Sequence, residues 1–183
     1  MNNANYAEYT VTQKAEGKYL TYKLLCLALY AVLIIGLLCL MVALSNYGVL
    51  VAIIVLPFIP LSIMILRHTT WNRFVNIDHK YEVASAKITF SDIYGRKEVV
   101  KYEKLISAFS LIAPVTDEYK DKYEGADVYM DFRGTVKSPD SYFLLLEEDG
   151  KKTVIYFEAI TKAIKVMSFY NSKNTVISKT LSI

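Results

Sequence analysis

The chain has 183 residues, of which 54% are hydrophobic and 21% charged, and its net charge is +3. That excess of Lys and Arg is too small for a nucleic-acid-binding surface. The mixture instead predicts a membrane part joined to a water-soluble part.

The N-terminal segment, residues 1–23, is polar and carries Lys14, Lys18 and Lys23. Two uncharged apolar runs follow, residues 24–44 and 49–66, separated only by Ser45, Asn46, Tyr47 and Gly48. A hydrocarbon core about 30 Å thick needs roughly 20 helical residues. The first run therefore spans comfortably and the second spans if nearly upright. The first is also too long for the apolar region of a cleaved signal peptide, and a second follows it directly. The pair predicts a transmembrane helical hairpin over residues 24–66.

Basic residues flank the pair on its outer sides, with Arg67 and Arg73 after the second run, whereas the connecting loop has none. The positive-inside rule then places both termini in the cytoplasm, making a multi-pass protein of the cell membrane. Tyr19, Tyr22, Tyr47 and Trp71 stand where interfacial anchors belong. Neither run holds an ionisable Asp, Glu, Lys, Arg or His, which disfavours a transport pathway. Pro57 and Pro60 interrupt the second run, and each removes a backbone donor and can kink a helix. Cys26 and Cys39 lie about 20 Å apart along one helix, so they neither pair nor share a metal.

Residues 67–173 read as one domain of strands closed by a helix. Strands are expected over residues 75–84, 87–94, 97–102, 127–132, 142–147 and 153–157, with an apolar stretch over 105–113. Gly95-Arg96 marks one turn, and Asp149-Gly150 is a strong hairpin signal. From Glu158 to Tyr170 the period changes: Ile160, Ala163, Ile164, Met167 and Tyr170 form one helical stripe, with Asn171 and Asn174 as stop signals. A tail, residues 174–183, carries Val176, Ile177 and Leu181.

Some seven short strands followed by an amphipathic helix resemble a pleckstrin-homology (PH)-like fold. The basic-aromatic exit at Arg67–Phe74, then Tyr81-Glu82-Val83, Lys87-Ile88-Thr89-Phe90, Phe109-Ser110-Leu111-Ile112-Ala113-Pro114 and Tyr156-Phe157-Glu158, extend the likeness. Together with the spans they resemble small bacterial, clostridial-type membrane proteins with a PH-like domain, similar to YcxB-like proteins. The resemblance implies an α+β membrane protein. Its N-terminal transmembrane hairpin leads into an antiparallel PH-like barrel or sandwich capped by a C-terminal helix.

No nucleophile elbow, phosphate loop or dinucleotide fingerprint is present. His68 and His79 have no second ligand at metal spacing, and His79 reads as a surface residue. The acids Asp117, Glu118, Asp121, Glu124, Asp127 and Asp131 lack the calcium-loop pattern. The sequence therefore predicts no catalytic residue, metal or cofactor. Charge is uneven: residues 67–104 carry net +3, 105–150 net −6 and 151–183 net +5. Arg67, Arg73, Arg96, Lys97, Lys151 and Lys152 are candidate contacts to anionic lipid headgroups or a protein partner. The reading that results is a membrane-anchored, non-enzymatic binding or scaffolding module. An accessory subunit of a larger membrane complex is the first alternative. An enzyme acting on a membrane lipid or envelope precursor is the second.

Overall fold

A computed structural model describes residues 5–178; of the C-terminal tail, Leu181 and its neighbours lie outside the described residues. The chain forms two compact units. One takes the residues up to Gln13 together with those from Asp78 onward; the other is Lys14–Ile77.

The first unit begins with a strand that the sequence reading passed over, β1 (Ala7–Thr12). Its signal is a period of two: Ala7, Tyr9 and Val11 alternate with Glu8, Thr10 and Thr12. Ala7 is 1% exposed and Tyr9 packs on Tyr81 at 6.0 Å. β1 pairs antiparallel with β2 (Ile77–Ala84), with Ala7 opposite Val83 and Thr12 opposite Asp78. The whole helical unit is thus inserted between two paired strands.

Sheet A continues through β3 (Lys87–Tyr94) and β4 (Lys97–Leu105) in the order β1-β2-β3-β4. The β2–β3 turn holds Ser85 at φ 50° and Ala86 at φ 64°, a conformation that Gly or Asn would announce and these residues do not. In β3–β4 the register slips: Phe90 faces Tyr102 but Ser91 faces Val100, so Lys101 is the extra residue of a bulge. A bulge on an edge strand also blunts it against further strand pairing.

Sheet B comprises β5 (Leu111–Pro114), β6 (Val128–Phe132), β7 (Ser141–Glu148) and β8 (Lys151–Glu158), in the order β5-β7-β8-β6. Asp149 and Gly150 turn between β7 and β8 with φ of 51° and 72°, as their sequence announces. The expected antiparallel barrel or sandwich is corrected in part here: two sheets form, one of them mixed. β6 lies on the outer side of β8 and runs parallel to it. The two sheets are separate four-stranded layers, so no barrel closes. The cause is connection: residues 133–140 carry the chain from β6 past β8 to β7, which puts β8 between them.

The main core lies between the inner faces of the sheets and α6 (Thr161–Tyr170), which buries Ala163, Ile164, Val166 and Met167. Phe90 stacks on Phe132 with centroids 4.7 Å apart, and Phe157 meets Tyr81 edge-on at 5.2 Å. A smaller cluster of Ala113, Phe143, Leu145 and Val154 occupies the other face of sheet B. Its cover includes Tyr123 of α5 (Lys120–Tyr123). β7 is therefore buried on both faces, which explains its unbroken run Tyr142–Leu146. Asn171 ends α6 by donating to the carbonyls of Ile106 and Phe109 at 2.9 and 2.8 Å. Beyond it, Thr175 bridges to Ile112, so the tail adds an extended piece to sheet B.

In the helical unit, α1 (Lys18–Ser45) is one continuous helix. Among the described residues it is the one helix long and apolar enough to cross a membrane. The second run is broken into α2 (Val49–Ile53) and α3 (Phe58–Leu66), with Pro57 at the break. A π-helical turn, Arg67–Trp71, and α4 (Asn72–Phe74) prolong it. This second leg returns alongside α1: Tyr30 meets Trp71 at 6.1 Å and Tyr22 meets Phe74 at 6.3 Å. The Tyr30 hydroxyl lies 3.5 Å from Thr70 Oγ1.

The insertion topology makes a direct prediction. Replacing residues 14–77 by Asn-Gly, which with Gln13 makes a three-residue hairpin loop, should leave a water-soluble domain that unfolds cooperatively, because Thr12 and Asp78 are already cross-strand partners. Beginning the chain at Asp78 instead, without β1, should give aggregation, read by size-exclusion chromatography and circular dichroism.

Candidate functional site

Both ends of the helical insertion meet sheet A at one place, where Gln13 leaves and Asp78 returns. A buried polar cluster sits there. His79, one residue into the sheet from Asp78, is only 4% exposed, not on the surface as the sequence suggested. Alternation explains this: Ile77, His79, Tyr81 and Val83 all point inward from β2.

The His79 Nδ1 lies 2.7 Å from Asp92 Oδ1 on β3, and Nε2 lies 2.9 Å from Gln13 Oε1. The Gln13 amide is oriented by its own Nε2, which donates to the Gly134 carbonyl at 3.4 Å. Both imidazole nitrogens thus face side-chain oxygens at hydrogen-bonding distance. Asp92 is held from its other side as well. Its second oxygen accepts from the Tyr94 hydroxyl at 3.0 Å and faces Lys101 Nζ at 3.7 Å. The bulge at Lys101 aims that side chain toward the carboxylate. Burial pushes the Asp92 carboxyl up, but the His79 hydrogen bond and charge, with Tyr94 and Lys101, outweigh it and hold the group below its usual value. The edge of Phe132 closes the far side, T-shaped to His79 at 5.7 Å.

The cluster continues into sheet B. A Cβ added at Gly134 would stand 2.5 Å from Val11 Cγ2 and 2.7 Å from the Thr12 carbonyl, so only glycine permits this contact with β1. Glu158 Oε1 accepts from the amides of Gly134 and Thr135 at 2.9 and 3.2 Å.

The candidate basic residues are divided. Arg96 and Lys97 form the β3–β4 turn, and the antiparallel order puts that turn at the end of sheet A where the helical insertion leaves. Lys151 and Lys152 open β8 beside the β7–β8 turn. Lys104, near the opposite end of β4, bonds Glu148 at 2.6 Å. The two turns are therefore about 20 Å apart along β4 and do not form one patch. The Lys152 ammonium donates to the Glu124 carbonyl at 3.1 Å, and its amide donates to Asp127 at 2.7 Å. Arg67 and Arg73 belong to the helical unit, where Arg73 lies over the Phe74 ring at 5.7 Å. Of the aromatic candidates, Tyr19 and Tyr22 pack edge-on at 6.3 Å near the start of α1, Trp71 lies beside Tyr30, and Tyr47 is exposed at the hairpin turn.

Sequence reasoning missed the cluster because its members are scattered: Gln13, His79, Asp92 and Lys101 meet only through strand order. The available signal was the inward phase of His79 within an apolar alternation. Among the described residues, no group of three His, Cys, Asp or Glu side chains could hold a metal.

Two packed four-stranded sheets closed by a C-terminal helix are the arrangement of a PH-like domain. The family described as Bacterial PH-like domain (DUF6106) matches residues 3–177, and the chain belongs to it. The matched stretch includes the helical insertion as well as both sheets. No curated protein and no solved structure matches the chain.

The Asp92 geometry sets a pH dependence. A carboxyl held below its unfolded value of 3.8 contributes stability above that pH and loses it as pH falls through the folded value. Asp92→Asn should flatten the fall in urea midpoint below about pH 5. At pH 7 it should cost about 2 kcal/mol, because His79 Nδ1 and the Tyr94 hydroxyl then lose their charged acceptor. Urea unfolding of the full chain in detergent, followed by tyrosine fluorescence, measures both.

Proposed function

We propose that this protein is a membrane-anchored binding module, in which the helical hairpin crosses the cell membrane twice and the PH-like domain docks a ligand at the cytoplasmic face. One observation carries the reading: Thr12 and Asp78 are paired, so the insertion begins and ends at one point of sheet A. A chain that crosses a bilayer on α1 must then come back, and the second leg that runs alongside α1 is the return path. The break at Pro57 is tolerated in such a leg when neighbouring helix and side chains re-satisfy the backbone. From Tyr22 to Tyr47, α1 and its turn cover roughly 35 Å, so aromatic residues fall at both interfaces of a bilayer. Lys14, Lys18 and Arg73 flank the root of the hairpin, which supports cytoplasmic termini. YcxB-like proteins, which the sequence also resembles, combine the same two parts.

The ligand at the membrane face is an anionic lipid headgroup or a protein that gathers at one. Arg96 and Lys97 are the favoured contacts, because their turn is at the end of sheet A from which the hairpin departs. Lys151 and Lys152, at the other end, are better suited to a protein partner. A PH-like fold with scattered acids and no nucleophile paired to a base favours binding over catalysis.

Two experiments test this. In a background with Cys26→Ala and Cys39→Ala, Ser45→Cys should react with a membrane-impermeant maleimide added outside intact cells. Labelling from the cytoplasmic side alone would mean a re-entrant hairpin. For the ligand, native mass spectrometry of the detergent-solubilised chain should show anionic lipid retained over zwitterionic lipid. Arg96→Gln with Lys97→Gln should weaken that retention roughly thirtyfold, at about 1 kcal/mol per charge. Equal retention by the variant would remove these residues from the contact.

A further inference from the structure

We propose that Gln13, His79 and Asp92 form a latch at the root of the helical unit, and that β1 is a strap which this latch holds docked or releases. The β1–β2 pair is loaded at its Thr12–Asp78 end, because both ends of the insertion attach there. Separating those ends peels the strands one pair at a time from the root. It does not shear the whole ladder at once, so the contacts at the root decide whether the strap stays.

Those contacts differ in kind from the rest of β1. The far end is apolar, with Ala7 buried and Tyr9 on Tyr81. The root end is held by directional bonds: Asp92 to His79 at 2.7 Å, His79 to Gln13 at 2.9 Å and Gln13 to the Gly134 carbonyl at 3.4 Å. Hydrogen bonds lose most of their strength within an ångström of displacement, whereas apolar burial declines gradually. The root therefore behaves as a catch and the remainder as a soft seat. The groups against the ring are Asp92 from β3, Gln13 beyond β1 and the Phe132 ring from β6, while Tyr94 and Lys101 hold the far oxygen of Asp92.

Release has a defined consequence in the second sheet. Val11 and Thr12 press on Gly134, whose amide is bound by Glu158 at the end of β8. Removing β1 frees that glycine surface and the outer edge of β2 together. The strap thus supplies a two-state element biased by the helical unit and read at sheet B, which is the physical requirement for coupling. The inference uses the hairpin only as the source of bias, and its test does not depend on whether the hairpin crosses a bilayer.

The test is hydrogen exchange of the full chain in lipid nanodiscs, followed by mass spectrometry. Gln13→Ala should speed exchange in residues 7–12 and 133–135 roughly tenfold while β7 keeps the wild-type rate. Gln13→Glu, which retains an acceptor for His79 but loses the donor to the Gly134 carbonyl, should slow exchange in 7–12 relative to Gln13→Ala and leave 133–135 fast. A Thr12→Cys/Asp78→Cys crosslink should suppress exchange in both segments even with Gln13→Ala present. Unchanged exchange in 7–12 for Gln13→Ala would overturn the latch, and so would an equal rise in β7. The Ser45→Cys labelling reads the membrane topology separately, so either proposal can fail alone.

Discussion

The pairing of β1 with β2 across the inserted helical unit is the constraint on which the rest depends. It makes two distant stretches, ending at Gln13 and resuming at Asp78, into neighbours. Sheet A gains its edge strand by it and the main core gains Ala7 and Tyr9. The insertion, in turn, must start and finish at one place. A hairpin satisfies that condition, and the second leg returning past Trp71 and Phe74 to Tyr30 and Tyr22 supplies it. Long insertions between paired strands are tolerated because closure entropy grows only slowly with length.

Charge and burial are in tension at this junction. A His–Asp pair is an expensive thing to place among Phe132, Tyr94 and the strand backbones, since desolvation can exceed the Coulombic gain. What offsets that cost is completeness: both ring nitrogens and both carboxylate oxygens have partners. An apolar residue at position 79 could pack there, but it could not reach Gln13 or orient it toward Gly134. The polar choice therefore specifies where β1 ends and which way the chain leaves, more than it adds stability.

Charges on the sheet unit are sorted by position. Arg96 and Lys97 rise from the β3–β4 turn, while the acidic stretch from Asp117 to Asp131 belongs to the connection into β6 and its flank. Several lysines elsewhere are paired with acids, as Lys87 is with Glu103, Lys104 with Glu148 and Lys80 with Glu8 and Glu98. Exposed pairs of this kind contribute little stability, yet they keep those charges from acting as a general basic field.

Local patterns in the sequence determined much of this protein. The charge-free run that became α1, the Asp149-Gly150 turn, the stripe of α6 and the strands from residue 77 onward follow from period, turn chemistry and side-chain length. Pro57 announced the break in the second leg. β1 was legible too, in the alternation of Ala7, Tyr9 and Val11, but its strand partner lies some seventy residues on, and the segment reads locally as a polar flank of the apolar helix. Ser85 and Ala86 gave no sign of their turn, because neither is a residue that the left-handed region favours. Only the tertiary structure decided that β6 runs parallel to β8, that two sheets form in place of a closed barrel, and that His79 is inside. It alone brought Gln13 and Asp92 to that ring and Lys101 to Asp92, and it alone separated Arg96 and Lys97 from Lys151 and Lys152. The physical reason is the same in each case. Period and propensity act within a few residues of the chain, whereas strand order is set by which apolar faces can be buried together.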